Sequence, residues 1–125
     1  MQLIFDSLTG NVRRLAGRVT QCLDAPPALD VRHAEPDGDF LLLTYTFHRG
    51  EVPDTTLAFL ARHGHRLRGV VASGSYHWGT HFARAADVIA VGYGVPIVAK
   101  VNKGGTDADV AQIIGWVQAH RTELL

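Results

Sequence analysis

The sequence predicts an α/β sandwich: a five-stranded parallel sheet in the order 2-1-3-4-5, covered by helices on both faces. Three observations carry this expectation. Short apolar runs alternate with segments of helical periodicity along the chain. One of the runs, 40–45, is continuously apolar, as a strand at the centre of a parallel sheet should be. At 125 residues the chain is long enough for one substantial core and is expected to form a single domain over 1–125.

Taken in order, Leu3-Ile4-Phe5 reads as the first buried strand. Val12, Leu15, Ala16, Val19 and Leu23 then recur at helical spacing, giving a helix over Arg13 to Leu23. Asp24-Ala25-Pro26-Pro27 ends it, because proline cannot continue a helix. From Leu29 to His33, Leu29, Val31 and His33 alternate with Asp30 and Arg32, the pattern of an edge strand with one wet face. Glu35 to Asp39 is a turn, Phe40 to Tyr45 a central strand, and Thr46 to Pro53 a loop. A short helix should run from Thr55 or Thr56 through Arg62, with Leu57, Phe59 and Leu60 apolar, and end near Gly64. Leu67 to Ala72 is the fourth strand. A helix is expected from about Thr80 to Val91, with Phe82, Ala85, Ala86 and Ile89 on one face. Val95 to Val101 is the fifth strand, whose early Pro96 is tolerated at a strand start. Thr106 with Asp109 three residues on has the form of a capping box. It opens a last helix to about Thr122, with Val110, Ile113, Ile114 and Val117 as its core stripe.

Composition narrows the function classes. Hydrophobic residues make up 46% and charged residues 19%, the balance of a soluble globular protein. No 18-residue apolar run occurs, and the N-terminus reads as a strand rather than a signal peptide. A cytoplasmic location is expected, and the single Cys22, which cannot form an internal disulfide, suits it. The formal net charge is zero. That offers neither a basic field for nucleic acid nor strong acidity to steer the chain to basic partners.

The stretch Asp6-Ser7-Leu8-Thr9-Gly10-Asn11-Val12 joins the first strand to the first helix. Free backbone N–H groups, the positive end of the helix dipole and the Ser7, Thr9 and Asn11 side chains meet there. A phosphate can sit at such a point. The same residues also make an ordinary turn and helix cap, and this stretch alone does not separate the two readings. No G-x-x-x-x-G-K-S/T occurs, and the glycine spacing of a dinucleotide fingerprint is missing. A terminal monophosphate is therefore a better match than a polyphosphate.

In the 2-1-3-4-5 order, ligands lie beyond the carboxyl ends of the strands, at the switch point. Three loops converge there: Ser7–Asn11, Thr44–Pro53 and Ser73–Gly79. The second and third carry Tyr45, Phe47, Tyr76 and Trp78, which can stack on a flat ring. Gly50, Gly74 and Gly79 allow close backbone approach or positive φ. Tyr45 as a core residue and Trp78 packed on Phe82 are the plain alternatives. A phosphate cradle combined with aromatic walls favours a flavin mononucleotide (FMN).

The opening Ile4-Phe5-Asp6-Ser7-Leu8-Thr9-Gly10-Asn11-Val12 is close to a D-S-x-T-G-N-V pattern. Thr44-Tyr45-Thr46 leads to Gly50-Glu51-Val52-Pro53. Gly64-His65-Arg66-Leu67-Arg68-Gly69-Val70, Ala72-Ser73-Gly74, Trp78-Gly79 and Phe82 follow. On these residues, and over nearly its whole length, the chain resembles the NrdI-type flavodoxins, flavodoxin-like activators of the manganese-dependent class Ib ribonucleotide reductase. The resemblance implies non-covalent FMN whose reduced form turns oxygen into superoxide or peroxide. That oxidant would pass to the dimanganese centre of the reductase small subunit, which then generates the tyrosyl radical. An unidentified flavin reductant is a second implied partner. By position, Ser7, Thr9, Gly10, Asn11 and Val12 would hold the phosphate. Thr44, Tyr45, Thr46 and Phe47 would flank the ring on one side, and Ser73, Gly74, Tyr76, Trp78 and Gly79 on the other. The flavin would carry the chemistry, with no catalytic residue or metal of the chain's own.

Two stretches depart from the family pattern. Phe47, His48 and Arg49 stand where an early glycine is usual, and Ser75 stands where an asparagine is usual, making one flavin contact shorter or water-mediated. His48, Arg49, His77 and His81 could bring positive charge to the ring, favouring its anionic reduced form and raising its potential. Their plain alternative is solvated loop residues. A phospho-receiver would need a carboxylate ending strand three, where Thr44-Tyr45-Thr46 stands. Cys22 is on the wrong element for a Cys-x5-Arg phosphatase. His77 and His81, or His63 and His65, lack a further ligand in register. Ser73-Gly74-Ser75 lacks a G-x-S-x-G frame. A general electron-transfer flavodoxin, usually longer and acidic, and a flavin-free interaction module of the same fold are the remaining alternatives.

Overall fold

The computed structural model describes residues 1–48 and 50–123. Its strands are β1 (Gln2–Phe5), β2 (Leu29–Asp30), β3 (Phe40–Tyr45), β4 (Leu67–Gly74) and β5 (Ile97–Asn102). Its α-helices are α1 (Asn11–Cys22), α2 (Asp54–His63), α3 (Ala85–Tyr93) and α4 (Asp107–Glu123). The strands form one sheet in the expected order β2-β1-β3-β4-β5, and every pair is parallel.

Alternate residues of each strand point to opposite faces, and the two faces have separate cores. Leu3, Phe5, Leu41 and Leu43 pack with Val12, Leu15 and Val19 of α1 and Val110, Ile113 and Val117 of α4. Ile4, Phe40 and Leu42 pack with Phe59 and Leu60 of α2 and Ala85, Ala86 and Ile89 of α3. The Phe40 and Phe59 rings meet edge to face at 5.5 Å. Right-handed crossovers account for this division. The step from β1 to β2 runs one way across the sheet, and the steps from β3 to β4 and β5 run the other way. Their helices therefore lie on opposite faces.

Four local details differ from expectation. The β2 strand is two residues long, because Asp30 turns the chain: its carboxylate accepts the Arg32 N–H at 3.0 Å, and its carbonyl accepts those of His33 and Ala34. Leu57 is exposed, and Thr56 joins Phe59 and Leu60 on the buried side of α2. Helix α3 begins at Ala85 rather than near Thr80. Residues 76–81 form a 3-10 turn, broken where Gly79 takes φ 57°, ψ −121°, and Ala83 has a left-handed φ of 49°. The fifth strand begins at Ile97, just after Pro96.

The capping box of α4 is formed. Thr106 N–H donates to Asp109 Oδ2 at 2.8 Å, and Asp109 N–H donates to Thr106 Oγ1 at 3.2 Å. Along the helix, Val110, Ile113 and Val117 are buried and Ile114 is partly buried. The Thr106→Ala variant should lose about 1 kcal/mol of stability, the usual worth of such a cap. Denaturant unfolding checks this, and an unchanged midpoint would mean that α4 needs no side-chain cap.

Candidate functional site

A cavity of about 520 Å³ opens at the carboxyl ends of β1, β3, β4 and β5. Its size falls in the range of small-molecule sites, roughly 300–1,000 Å³.

Ser7, Leu8, Thr9, Asn11 and Val12 form one end. Ser7 Oγ accepts the N–H groups of Gly10 and Arg13, each at 3.2 Å. Gly10, at φ 94°, turns the chain into α1. The N–H groups of Asn11 and Val12, in the first turn, have no intrahelical acceptor. Two cations flank this helix start. Arg14 donates to Asn11 Oδ1 at 2.6 Å, while Arg13 lies over the Phe5 ring and pairs with Asp30 at 3.2 Å.

Tyr45, Thr46, Phe47 and His48 supply the second wall. Buried Thr46 is doubly anchored: its N–H donates to Ser73 O at 2.9 Å, and its hydroxyl accepts the Ala85 N–H at the start of α3. Phe47 and Glu51 exchange two backbone hydrogen bonds of 2.8 Å, closing the loop between them. Gly50 is needed there, since it sits at φ 93° and a Cβ would lie 2.7 Å from the Arg84 side chain. His48 also has a left-handed φ, 49°, with its ring 4.0 Å from that of Phe47. Arg49 lies outside the described residues.

The third wall is Ser73, Gly74, Ser75 and Trp78. At Gly74 a Cβ would lie 2.6 Å from the Ala83 backbone nitrogen, so β4 ends on a glycine where α3's lead-in crosses it. Ser75 Oγ accepts the His77 N–H at 3.3 Å and starts the 3-10 turn. Lys103, just past β5, completes the ring of lining residues.

Behind the cavity, Asp6 is buried at the end of β1. Its carboxylate accepts the hydroxyl of Thr55 and, at 2.7 Å, that of Thr56. Because Thr56 gives its proton to Asp6, the 2.7 Å contact between Thr44 and Thr56 runs with Thr44 as donor.

Residues 3–115 match the sequence model of the family described as NrdI Flavodoxin like. The chain belongs to the NrdI flavodoxin-like family. Protein NrdI of Deinococcus radiodurans is 57% identical over 117 residues, covering 94% of this chain and 82% of that protein. The SPbeta prophage-derived protein NrdI of Bacillus subtilis is 32% identical over 125 residues, covering 98% and 97%. Among solved structures, a short-chain flavodoxin associated with a bacterial microcompartment superposes with a TM-score of 0.74. Its identity is 16%, over 94% of this chain and 93% of that one. Oxidised flavodoxin 1 from Bacillus cereus gives 0.68 at 20% identity, over 91% of each chain. The fold of this NrdI-family chain is thus flavodoxin-like.

Of the residues the NrdI resemblance singles out, the cavity gathers Ser7, Thr9, Asn11, Val12, Tyr45, Thr46, Phe47, Ser73, Gly74 and Trp78. Gly10, Thr44, Tyr76 and Gly79 do not line it. Gly10 shapes the turn below, and Thr44 is buried with its hydroxyl spent on Thr56. Tyr76 is 69% exposed, with its ring 4.7 Å from that of Phe82, a partner the sequence had offered to Trp78. Gly79 is exposed in the 3-10 turn. His48 and Ser75 line the cavity, whereas His77 and His81 lie outside it. Leu8 and Lys103 were missed. The usable signal for Lys103 was its place directly after the fifth strand, at the same sheet edge. No group of three or more His, Cys, Asp or Glu among the described residues is arranged to hold a metal ion. None of the described helices is long and apolar enough to cross a membrane.

The Tyr45 phenol is pushed up from its ordinary value of 10.0, first by burial and then by the Asp6 carboxylate; a Thr55 hydrogen bond and Arg32 partly offset this. The neutral phenol is therefore favoured in the folded state. That contribution to stability is complete below pH 10 and is lost as pH rises through the folded value. An ultraviolet titration, with Tyr45→Phe subtracted, should place Tyr45 above 10, and Asp6→Asn should lower it. A Tyr45 midpoint at or below 10 would contradict this electrostatic account.

Proposed function

We propose that this chain is an FMN-binding redox activator of class Ib ribonucleotide reductase, acting in the cytoplasm as a single domain over residues 1–125. One observation carries the proposal: a single cavity joins the start of α1, with its hydroxyl and amide donors, to aromatic walls at the sheet's switch point. Membership of the NrdI family supports the choice of reductase.

The residues present fit FMN. Among the described residues, no carboxylate lines the cavity to repel a phosphate. The helix start offers backbone N–H groups, its dipole and the nearby Arg13 and Arg14. Tyr45, Phe47 and Trp78 among the lining residues offer a flat ring aromatic walls. In this assignment Ser7, Thr9, Gly10, Asn11 and Val12 hold the phosphate. Tyr45 and Phe47 wall the ring on one side, with Thr46 fixing their loop and Thr44 anchoring it from behind. Ser73, Gly74 and Trp78 border the other side, and Tyr76 and Gly79 shape the turn that carries Trp78.

When bound and reduced, FMN supplies electrons to oxygen, producing the superoxide or peroxide that converts the partner's dimanganese centre to its radical-generating state. The chain's own part is to hold that cofactor, limit its exposure and present it. Leu8, Phe47 and Trp78 are partly exposed around the mouth. They form an apolar rim that a reductase small subunit could cover.

Calorimetric titration separates the phosphate from the ring. The Thr9→Val variant should bind FMN roughly 10- to 100-fold more weakly, the worth of one hydrogen bond to a charged group, about 1.5–3 kcal/mol. Its affinity for riboflavin should not change. Equal losses for both ligands would place the phosphate elsewhere, and a wild-type chain indifferent to FMN would remove the proposal.

A further inference from the structure

The chain has two lysines, and the structure uses them differently. Lys100 is spent: its Nζ lies 2.6 Å from Asp87 Oδ2, tying β5 to α3. The Lys103 ammonium has no hydrogen-bond or ion-pair partner among the described residues, and Lys103 lines the cavity.

The Lys103 backbone is held firmly at that wall. Its N–H donates to Gly74 O at 2.8 Å, and its carbonyl accepts the Ser73 hydroxyl at 2.5 Å. Those two partners end β4 and border the ring side of the cavity. Lys103 also has a φ of 55°, the left-handed conformation that favours glycine, although Gly104 and Gly105 follow immediately. A lysine is thus kept in a glycine-like conformation at the cavity edge.

Among the described residues that line the cavity, Lys103 is the one lysine or arginine, and none is a carboxylate. Asp6 lies behind Tyr45, buried and bound by Thr55 and Thr56. The helix-start end has its own cation, Arg14, fixed on Asn11.

We propose that Lys103 selects the anionic reduced form of the bound flavin. Two electrons from an external low-potential donor and one proton convert the neutral oxidised ring to a reduced ring bearing one negative charge. The ammonium favours that charged product over the neutral reactant. The inference rests on the FMN reading above and deepens it: His77 and His81, outside the cavity, are not needed for the effect.

The test is a dithionite redox titration of FMN-loaded wild type, Lys103→Met, Lys103→Gly and Lys103→Arg. It is combined with oxidised FMN and riboflavin affinities and melting temperatures. Met and Gly should each lower the two-electron midpoint by about 30 mV or more, a roughly tenfold loss of preference for reduced flavin. Arg should retain the wild-type midpoint. Any change in affinity for oxidised FMN should be matched by riboflavin in every variant. The Gly variant should melt no lower than wild type, because φ suits it, so potential and stability part company. Wild-type midpoints in both Met and Gly would overturn the inference. So would weakened FMN binding with riboflavin untouched, which would move Lys103 to the phosphate. A wild-type chain that binds no flavin would remove the FMN reading, and this inference with it, before any variant is made.

Discussion

Parallel pairing of β1 with both β2 and β3 determines where every other element can go. The chain leaves β1 in one direction across the sheet and leaves β3 in the other. Right-handed crossovers then send α1 and α2 to opposite faces. The loops after β1 and β3 must diverge, and a crevice opens between them at the carboxyl edge. Helix α1 begins at that crevice, so its unpaired N–H groups and dipole are directed into the space the loops enclose.

A second set of interactions keeps the loops around the crevice in place. Asp6 takes the hydroxyls of Thr55 and Thr56 and so pins the start of α2 to the end of β1. Thr46 joins the β3 loop to the first residue of α3. Ser73 and Gly74 hold the backbone of Lys103. Each tie links two segments at the carboxyl edge through a short polar side chain or a backbone group. The aromatic walls and the helix start are thereby held on one rigid scaffold, as an oriented cofactor site requires. This arrangement also explains why small residues matter: a Cβ at Gly50 or Gly74 would strike a neighbouring element.

What could be read from sequence depended on how local the deciding interaction is. Phe40 to Tyr45 is a strand because its apolar run admits little else. The Thr106–Asp109 box is visible because both partners lie within one turn. The alternation of such elements points to a parallel sheet, and five strands suit the order 2-1-3-4-5. The start of α3 was placed too early, since Phe82, Ala85, Ala86 and Ile89 keep helical spacing through Ala83, where the backbone is left-handed. That break comes from tertiary crowding, with Ala83 lying against Gly74. The resemblance places Thr44 beside the ring by position, and the destination of its hydroxyl depends on α2. Tyr76 and Trp78 are near neighbours in sequence, and the 3-10 turn sends one onto Phe82 and the other to the cavity. Lys103 carries no motif, and only the position of β5 at the sheet edge brings it in.

The most direct test of the proposed role is reconstitution with a class Ib reductase small subunit. The chain is loaded with FMN, reduced, and mixed with a manganese-loaded class Ib reductase small subunit before oxygen is admitted, and the tyrosyl radical is followed by electron paramagnetic resonance. A radical signal that requires the FMN-loaded chain is the expected result. A chain that binds and reduces FMN normally, yet yields no more radical than the small subunit and oxygen alone, would contradict it.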